Sequence, residues 1–282
     1  MSFDELIRIY SKPMDIIPTG ISEEGRPPDI IEAIFFDVYG TLFMSRAGDI
    51  GSAAQDSRRY IEDLGDLLRR RHIEKEPDVF LREFYAAIEE EKEKRKEGGI
   101  DYPEVDIETI WETVTGIEDR SLIRRCAIEY ELLVNPVYPM PHVSELLARC
   151  RERRVPMGIV SNAQFYTPLF FSSLLGLDLT SLGFSRDFVF FSYLHGYCKP
   201  SLVLFERAAR AIEAAGIPVR HVLYVGNDML KDIYPAGMIG FHTVLFAGDG
   251  RSLNLRRGDE RVRSVRPDMV VTDLSQILRC IG

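Results

Sequence analysis

The chain has 282 residues, 45% of them hydrophobic, and a formal net charge of −9. That length allows one or two domains around a sizeable core, and the acidic balance argues against a general affinity for nucleic acid or an anionic membrane. Cys126, Cys150, Cys198 and Cys280 are far apart and form no C-x-x-C pair, so their spacing suggests neither a zinc ribbon nor a dithiol redox site and suits a reducing compartment. No apolar run reaches the roughly 18 residues of a spanning helix, and Met1 to Tyr10 lacks the apolar core of a secretory signal. The expectation is a soluble cytoplasmic protein.

In chain order, residues 2–11 have the apolar spacing of a short helix, and Pro13, Pro18, Gly20, Gly25, Pro27 and Pro28 then break regularity. Residues 1–30 read as an N-terminal extension lying over the core. Next comes Ile34-Phe35-Phe36-Asp37-Val38-Tyr39-Gly40-Thr41-Leu42. Its continuous apolar start suits a strand buried on both faces, and that strand ends abruptly at a carboxylate. From about residue 50 to 134, amphipathic segments run through Tyr60 to Leu68, Phe80 to Ile88, Ile107 to Val114 and Leu122 to Leu133, predicting an all-helical insertion. The Glu89-to-Lys96 charge run reads as a solvated helix end, and Trp111 as part of the insertion's core.

After Pro141 an α/β rhythm follows. It comprises a helix from Val143 to Arg153 and a strand through Met157 to Val160 ending at Ser161-Asn162, then a strand through Phe188 to Phe191 and Lys199-Pro200. A helix from Ser201 to about Ala215 leads to a strand from Val222 to Val225 ending at Gly226-Asn227-Asp228, and strands His242 to Phe246 and Met269 to Val271 complete the pattern. Alternation of this kind predicts a doubly wound parallel sheet with helices on both faces. The six arginines between Arg251 and Arg266 are interleaved with Asp259 and Glu260 and read as a flexible loop. G-x-G-x-x-G after the first strand, G-x-S-x-G, H-E-x-x-H and a Walker lysine are all absent from the sequence.

Ligands of open α/β sheets lie outside the carboxyl ends of the strands. Four strand-end signals therefore converge there: Asp37, Ser161 with Asn162, Lys199, and Asp228 with Asp232. Carboxylates with one lysine suit an anionic ligand held through a hard divalent cation, and magnesium selects such oxygens. In that arrangement Asp37 is the candidate nucleophile toward phosphorus, Ser161 a donor to a phosphoryl oxygen, and Lys199 the group that holds the nucleophile and stabilises charge.

These residues carry a resemblance to the haloacid dehalogenase superfamily of hydrolases. Its four signatures are matched in order by Phe36 to Leu42, Val160-Ser161-Asn162, Lys199-Pro200, and Val225 to Asp228 with Asp232. The resemblance covers roughly residues 31–282 and implies a Rossmann-like core (31–46 and 138–282) with a helical cap (47–137), hinged near residues 45–49 and 134–141. It implies Thr41, Asn162 and Tyr39 as substrate- or phosphate-binding residues, and Asp37, the Tyr39 carbonyl, Asp228 and Asp232 as magnesium ligands. Tyr39 departs from the phosphatase pattern, which has a second aspartate two residues after the nucleophile as general acid and base. Tyrosine there is characteristic of the family's 2-haloacid dehalogenases, which need no metal. The acidic final signature resembles that of phosphatases, and extra carboxylates beside Asp37 would repel an anionic haloacid unless a cation were present. The expected function is a magnesium-dependent phosphatase acting on a small phosphorylated metabolite. The alternatives are a 2-haloacid dehalogenase and a noncatalytic phosphate-binding protein. Neither a nucleic-acid nor a membrane partner is expected.

Overall fold

A computed structural model describes residues 2–45 and 60–281. The first helix, α1 (Phe3–Tyr10), begins with a capping box in which Ser2 and Glu5 satisfy each other's backbone N–H groups. Next come β1 (Glu24–Gly25), β2 (Ala33–Phe36) and the two-residue β3 (Phe43–Met44). Four helices follow: α2 (Ile61–Arg70), α3 (Pro77–Glu97), α4 (Ile107–Thr115) and α5 (Arg120–Val134). Asp106 and Asp119 cap the last two.

The chain then returns through β4 (Tyr138–Pro139), α6 (Val143–Glu152), β5 (Met157–Ser161), α7 (Thr167–Leu175), α8 (Leu179–Leu182), β6 (Phe184–Phe191) and α9 (Ser192–His195). It continues through α10 (Val203–Ala214), β7 (Val222–Gly226), a π-helical turn (Met229–Ile233) and α11 (Tyr234–Ile239). The last elements are β8 (His242–Phe246), β9 (Met269–Val271) and a 3₁₀ helix (Leu274–Cys280).

The main sheet has the order β1-β9-β8-β7-β2-β5-β6 and is parallel except for the edge strand β1. The continuous apolar run of β2 has a direct cause. Ile34 and Phe36 enter the core on one face of the sheet, whereas Ala33 and Phe35 enter the core on the other, with Val160, Phe205 and Tyr224. Because β2 lies between β5 and β7, the residues that follow these three strands emerge side by side at one edge.

The helical insertion is present, with Trp111 buried against Phe80, Phe84 and Tyr130. Its two connections to the sheet are paired with each other. β3 and β4 form an antiparallel ribbon, and Ser45 Oγ donates to Asn135 Oδ1 at 2.8 Å. Residues 46–49 of the expected first hinge lie outside the described residues. Helix α1 packs against both α5 of the insertion and α7 of the core. Tyr10 donates to Glu129 of α5 at 2.6 Å, and the Arg125 guanidinium lies 5.3 Å from the centre of the Phe3 ring. The N-terminal extension thus clasps both units.

Candidate active site

Asp37 follows the fully buried β2, and its N–H donates to the Val225 carbonyl of β7 at 2.9 Å, which fixes its backbone. Lys199 is buried and reaches three groups. Its Nζ donates to Asp37 Oδ1 at 2.7 Å, to Asp232 Oδ1 at 2.5 Å and to the Tyr224 hydroxyl at 3.2 Å. Burial by itself would lower the lysine pKa, but Asp232 and Asp37 outweigh it and hold the ammonium above its ordinary value. Burial pushes the Asp232 carboxyl upward against the pull of Lys199, and the charges of Asp37 and Asp228 add to the rise.

Asn162 clamps the backbone of Lys199. Its Oδ1 accepts from the Lys199 N–H at 2.6 Å and its Nδ2 donates to the Lys199 carbonyl at 3.2 Å. Ser161 is fully buried, and its hydroxyl donates to the Asn162 carbonyl at 3.2 Å. Thr41 is equally buried and donates to Asn227 Oδ1 at 3.2 Å. Asn162 thus lines the cavity described below, whereas the side chains of Ser161 and Thr41 brace the turns around it.

The Tyr39 hydroxyl pairs with Thr167 Oγ1 at 2.8 Å. Burial, and after it the charge of Glu131, raises this phenol well above its ordinary range, with the Thr167 bond opposing them. A phenol so shifted is no general base at neutral pH.

Asp228 and Asp232 come together in the turn after β7. Asp232 Oδ2 accepts the Asp228 N–H at 2.9 Å. Gly226 is required there, since a Cβ at that position would stand 2.4 Å from the Asp232 carboxyl carbon. Asp228 Oδ1 accepts from the Leu230 and Lys231 N–H groups at 2.8 and 3.1 Å. Both Asp228 oxygens also accept from Arg256: Nε lies 3.2 Å from Oδ1 and 3.0 Å from Oδ2, and Nη2 lies 2.6 Å from Oδ2.

Arg256 belongs to the arginine-rich stretch read from the sequence as a flexible loop, and the stretch is irregular in the structure. The start of this stretch is knitted to the site. The Asn254 N–H donates to the Asn227 carbonyl, the Met229 N–H donates to the Asn254 carbonyl, and Asn227 Nδ2 donates to the Ser252 carbonyl at 2.7 Å. The approach is close enough that a Cβ on Gly40, which has φ of +82°, would meet Asn227 Nδ2 at 2.5 Å and the Ser252 Cβ at 2.6 Å. Tyr224 is a second residue the sequence reading missed. A tyrosine inside a fully buried strand needs a partner for its hydroxyl, and that requirement was the available signal.

A polar cavity of about 210 Å³ is bounded by Asp37, Tyr39, Asn162, Lys199, Asn227, Asp228, Lys231, Asp232 and residues 251–254 and 256. A second cavity, of about 600 Å³, lies between the sheet edge and the insertion and shares Tyr39, Asn162, Lys199 and Lys231 in its wall. Ile88, Tyr102, Val105 and Tyr166 give it apolar surface, and Glu89, Lys92, Lys96, Glu104, Glu131 and Arg261 give it charge. The charged end of α3 therefore faces a cavity as well as solvent.

The family profile of the haloacid dehalogenase-like hydrolases matches residues 31–237. The chain belongs to that family of hydrolases. No curated protein matches it in a sequence search. Similar solved structures include a 2-haloacid dehalogenase from Pseudomonas syringae pv. Tomato (18% identity, 89% of this chain and 98% of that one, TM-score 0.55). They also include a HAD phosphatase from Thermococcus onnurineus (19% identity, 89% and 98%, TM-score 0.53). A third is an L-2-haloacid dehalogenase from Xanthobacter autotrophicus with chloropropionic acid covalently bound (17% identity, 90% and 100%, TM-score 0.51). At these identities the likeness establishes the fold, and it includes both chemistries. Among the described residues no helix is long and apolar enough to cross a membrane.

Members of the family often use magnesium. Octahedral magnesium needs carboxylate oxygens free to turn toward it. Here Asp232 is committed to Lys199, Tyr224 and a backbone N–H, Asp228 to Arg256 and two backbone N–H groups, and Asp37 Oδ1 to Lys199. Among the described residues no cluster of three or more His, Cys, Asp or Glu side chains is arranged to hold a metal. The residues in this arrangement do not fit the ion.

Proposed function

We propose that the protein is a hydrolase using Asp37 as a nucleophile toward a compact anionic group, with phosphoric esters and anhydrides of good leaving groups as its substrate class. The observation that supports this reading most is the juxtaposition of the two cavities. The small polar one, with Lys199, Lys231 and Arg256 in its wall, suits a phosphoryl group beside Asp37, and the larger one suits the organic remainder. Helices α2 to α5 serve as a cap that supplies specificity.

Lys199 holds Asp37 through Oδ1 and leaves Oδ2 to attack phosphorus. The P–O bond to the leaving group breaks as the Asp37 O–P bond forms, and Lys199 offsets charge on the transferring group. Water then attacks the aspartyl phosphate, releasing phosphate and regenerating the carboxylate. Tyr39 offers no acid for the leaving group and no base for the water, help worth about a hundredfold to ten-thousandfold. Leaving groups that depart as stable anions are therefore favoured, and the second step is slow.

The test is hydrolysis of p-nitrophenyl phosphate by the wild type and Asp37→Asn, followed from the first turnover. A burst of p-nitrophenol equal to the enzyme concentration, lost by more than about a thousandfold in rate in Asp37→Asn, is expected. Absence of turnover in a folded wild type would remove the reading. The second reading, 2-haloacid dehalogenation, is favoured by Tyr39 and by the pairing of Asp228 with Arg256, which removes the charge repulsion expected from the acidic signature. Halide release from 2-chloropropionate in the absence of phosphatase turnover would replace the first reading with this one.

A further inference from the structure

We propose that Arg256 is the resident counter-cation of Asp228, so that the site balances its carboxylates from within the chain and takes up no divalent cation. Asp37, Asp228 and Asp232 carry three negative charges if ionised, and Lys199 and Arg256 contact them directly with two positive ones. The charge left over matches the single one of a nucleophilic carboxylate. A divalent ion at Asp228 would have to displace a two-pronged guanidinium contact, and such charge-assisted pairs are among the strongest polar contacts in proteins.

The placement of Arg256 is enforced by the fold. Its backbone has φ of +49°, a left-handed conformation that a residue with a Cβ adopts at a penalty and keeps only where its surroundings impose it. Asn254 is bonded to both sides of the acidic turn, and farther back Arg251 is anchored on the buried Asp249. The N-terminal extension fixes that anchor, because the Ile17 N–H donates to Asp249 Oδ1 at 3.1 Å and Arg251 Nη2 donates to the Asp15 carbonyl at 2.8 Å. The extension lies outside the matched family region of residues 31–237, as does Arg256. The Arg256 side chain is 31% exposed and bounds the polar cavity, so it also meets any anion placed beside Asp37.

The experiment titrates Mn²⁺ and Mg²⁺ into the full-length protein by calorimetry, with Mn²⁺ electron paramagnetic resonance as a second readout. It compares the wild type with Arg256→Ala, Arg256→Lys and Asp228→Asn. Since the signal is metal uptake and not turnover, its result is independent of whether the substrate class above is correct. The expected result is no stoichiometric uptake by the wild type. Arg256→Ala should take up one ion at least about tenfold more tightly, the release expected when a charge-assisted pair is removed, and Arg256→Lys should gain less. One-to-one uptake by the wild type that disappears in Asp228→Asn would overturn the proposal. So would a folded Arg256→Ala that gains no affinity. If Arg256→Ala does not fold, the wild type and Asp228→Asn titrations decide the question.

Discussion

The two sides of the candidate site are built differently. Asp37 and Asn162 stand just beyond the ends of β2 and β5, and Asn162 holds the backbone of Lys199, which follows α9; all three are buried. Arg251 and Arg256 sit on an irregular segment after β8, held by Asp249, by Asn227 and by residues 15–19 of the N-terminal extension. The first side takes its precision from the sheet, whereas the second takes it from a long-range clasp between the two ends of the chain. The difference teaches that the carboxylates at one sheet edge draw their counter-cations from two sources, Lys199 among the strand ends and Arg256 on a segment placed by distant contacts.

Substituting Lys199 should break the comparison most severely. In Lys199→Met, Asp37 and Asp232 lose their shared cation while buried, which should lower stability by about 3–5 kcal/mol and turnover by about a hundredfold to a thousandfold. Urea unfolding and single-turnover rates measure the two effects.

On the loop side, Asp249→Ala removes the carboxylate that accepts from Arg251 Nη1 and from the Ile17 N–H and should lower stability by about 2–3 kcal/mol. If the clasp positions Arg256, this variant should also reproduce part of the metal uptake expected of Arg256→Ala. A loss of stability with no change in uptake would show that the loop is set by Asn227 and Asn254 alone.

The clasp at the other end of the extension is sensitive to acid. Burial tends to raise the Glu129 pKa, but bonds from Tyr10, Arg71 and Arg70 prevail and hold it below its ordinary value of 4.5. A carboxylate with a lowered folded-state pKa contributes stability above its unfolded pKa and loses it as pH falls. Glu129→Ala should therefore destabilise the protein by about 2 kcal/mol near neutrality. The gap from the wild type should narrow as pH falls below 4.5, and thermal unfolding across pH measures it.

The smallest effect belongs to Tyr39→Phe, which removes the bond to Thr167. About 1 kcal/mol of stability should be lost, and turnover should change by less than about threefold because no proton transfer is removed. A much larger loss of turnover would restore the phenol to the chemistry.

The fold was legible because its signals are local and periodic. The apolar run of β2, the amphipathic spacing of α2 to α5 and the strand-helix alternation after Pro141 each reflect which faces must be buried. The paired two-residue strands β3 and β4 and the edge strand β1 left no such mark, since elements this short carry no period. In the site, the residues at strand ends could be named in advance, because parallel strands deliver their carboxyl ends to one edge. Arg256 follows the same logic in principle, since it lies beyond the end of β8 in that sheet, but in the sequence its charge is indistinguishable from those of Arg257 or Arg263.

The sequence by itself thus determined the family, the parallel sheet and the company of Asp37, Lys199, Asp228 and Asp232. Only the tertiary structure decided which charges neutralise which. Strand order follows from burial patterns that every residue of a strand repeats, whereas an ion pair between positions 228 and 256 depends on one φ angle and on a contact made by residues 15–17 from the far end of the chain.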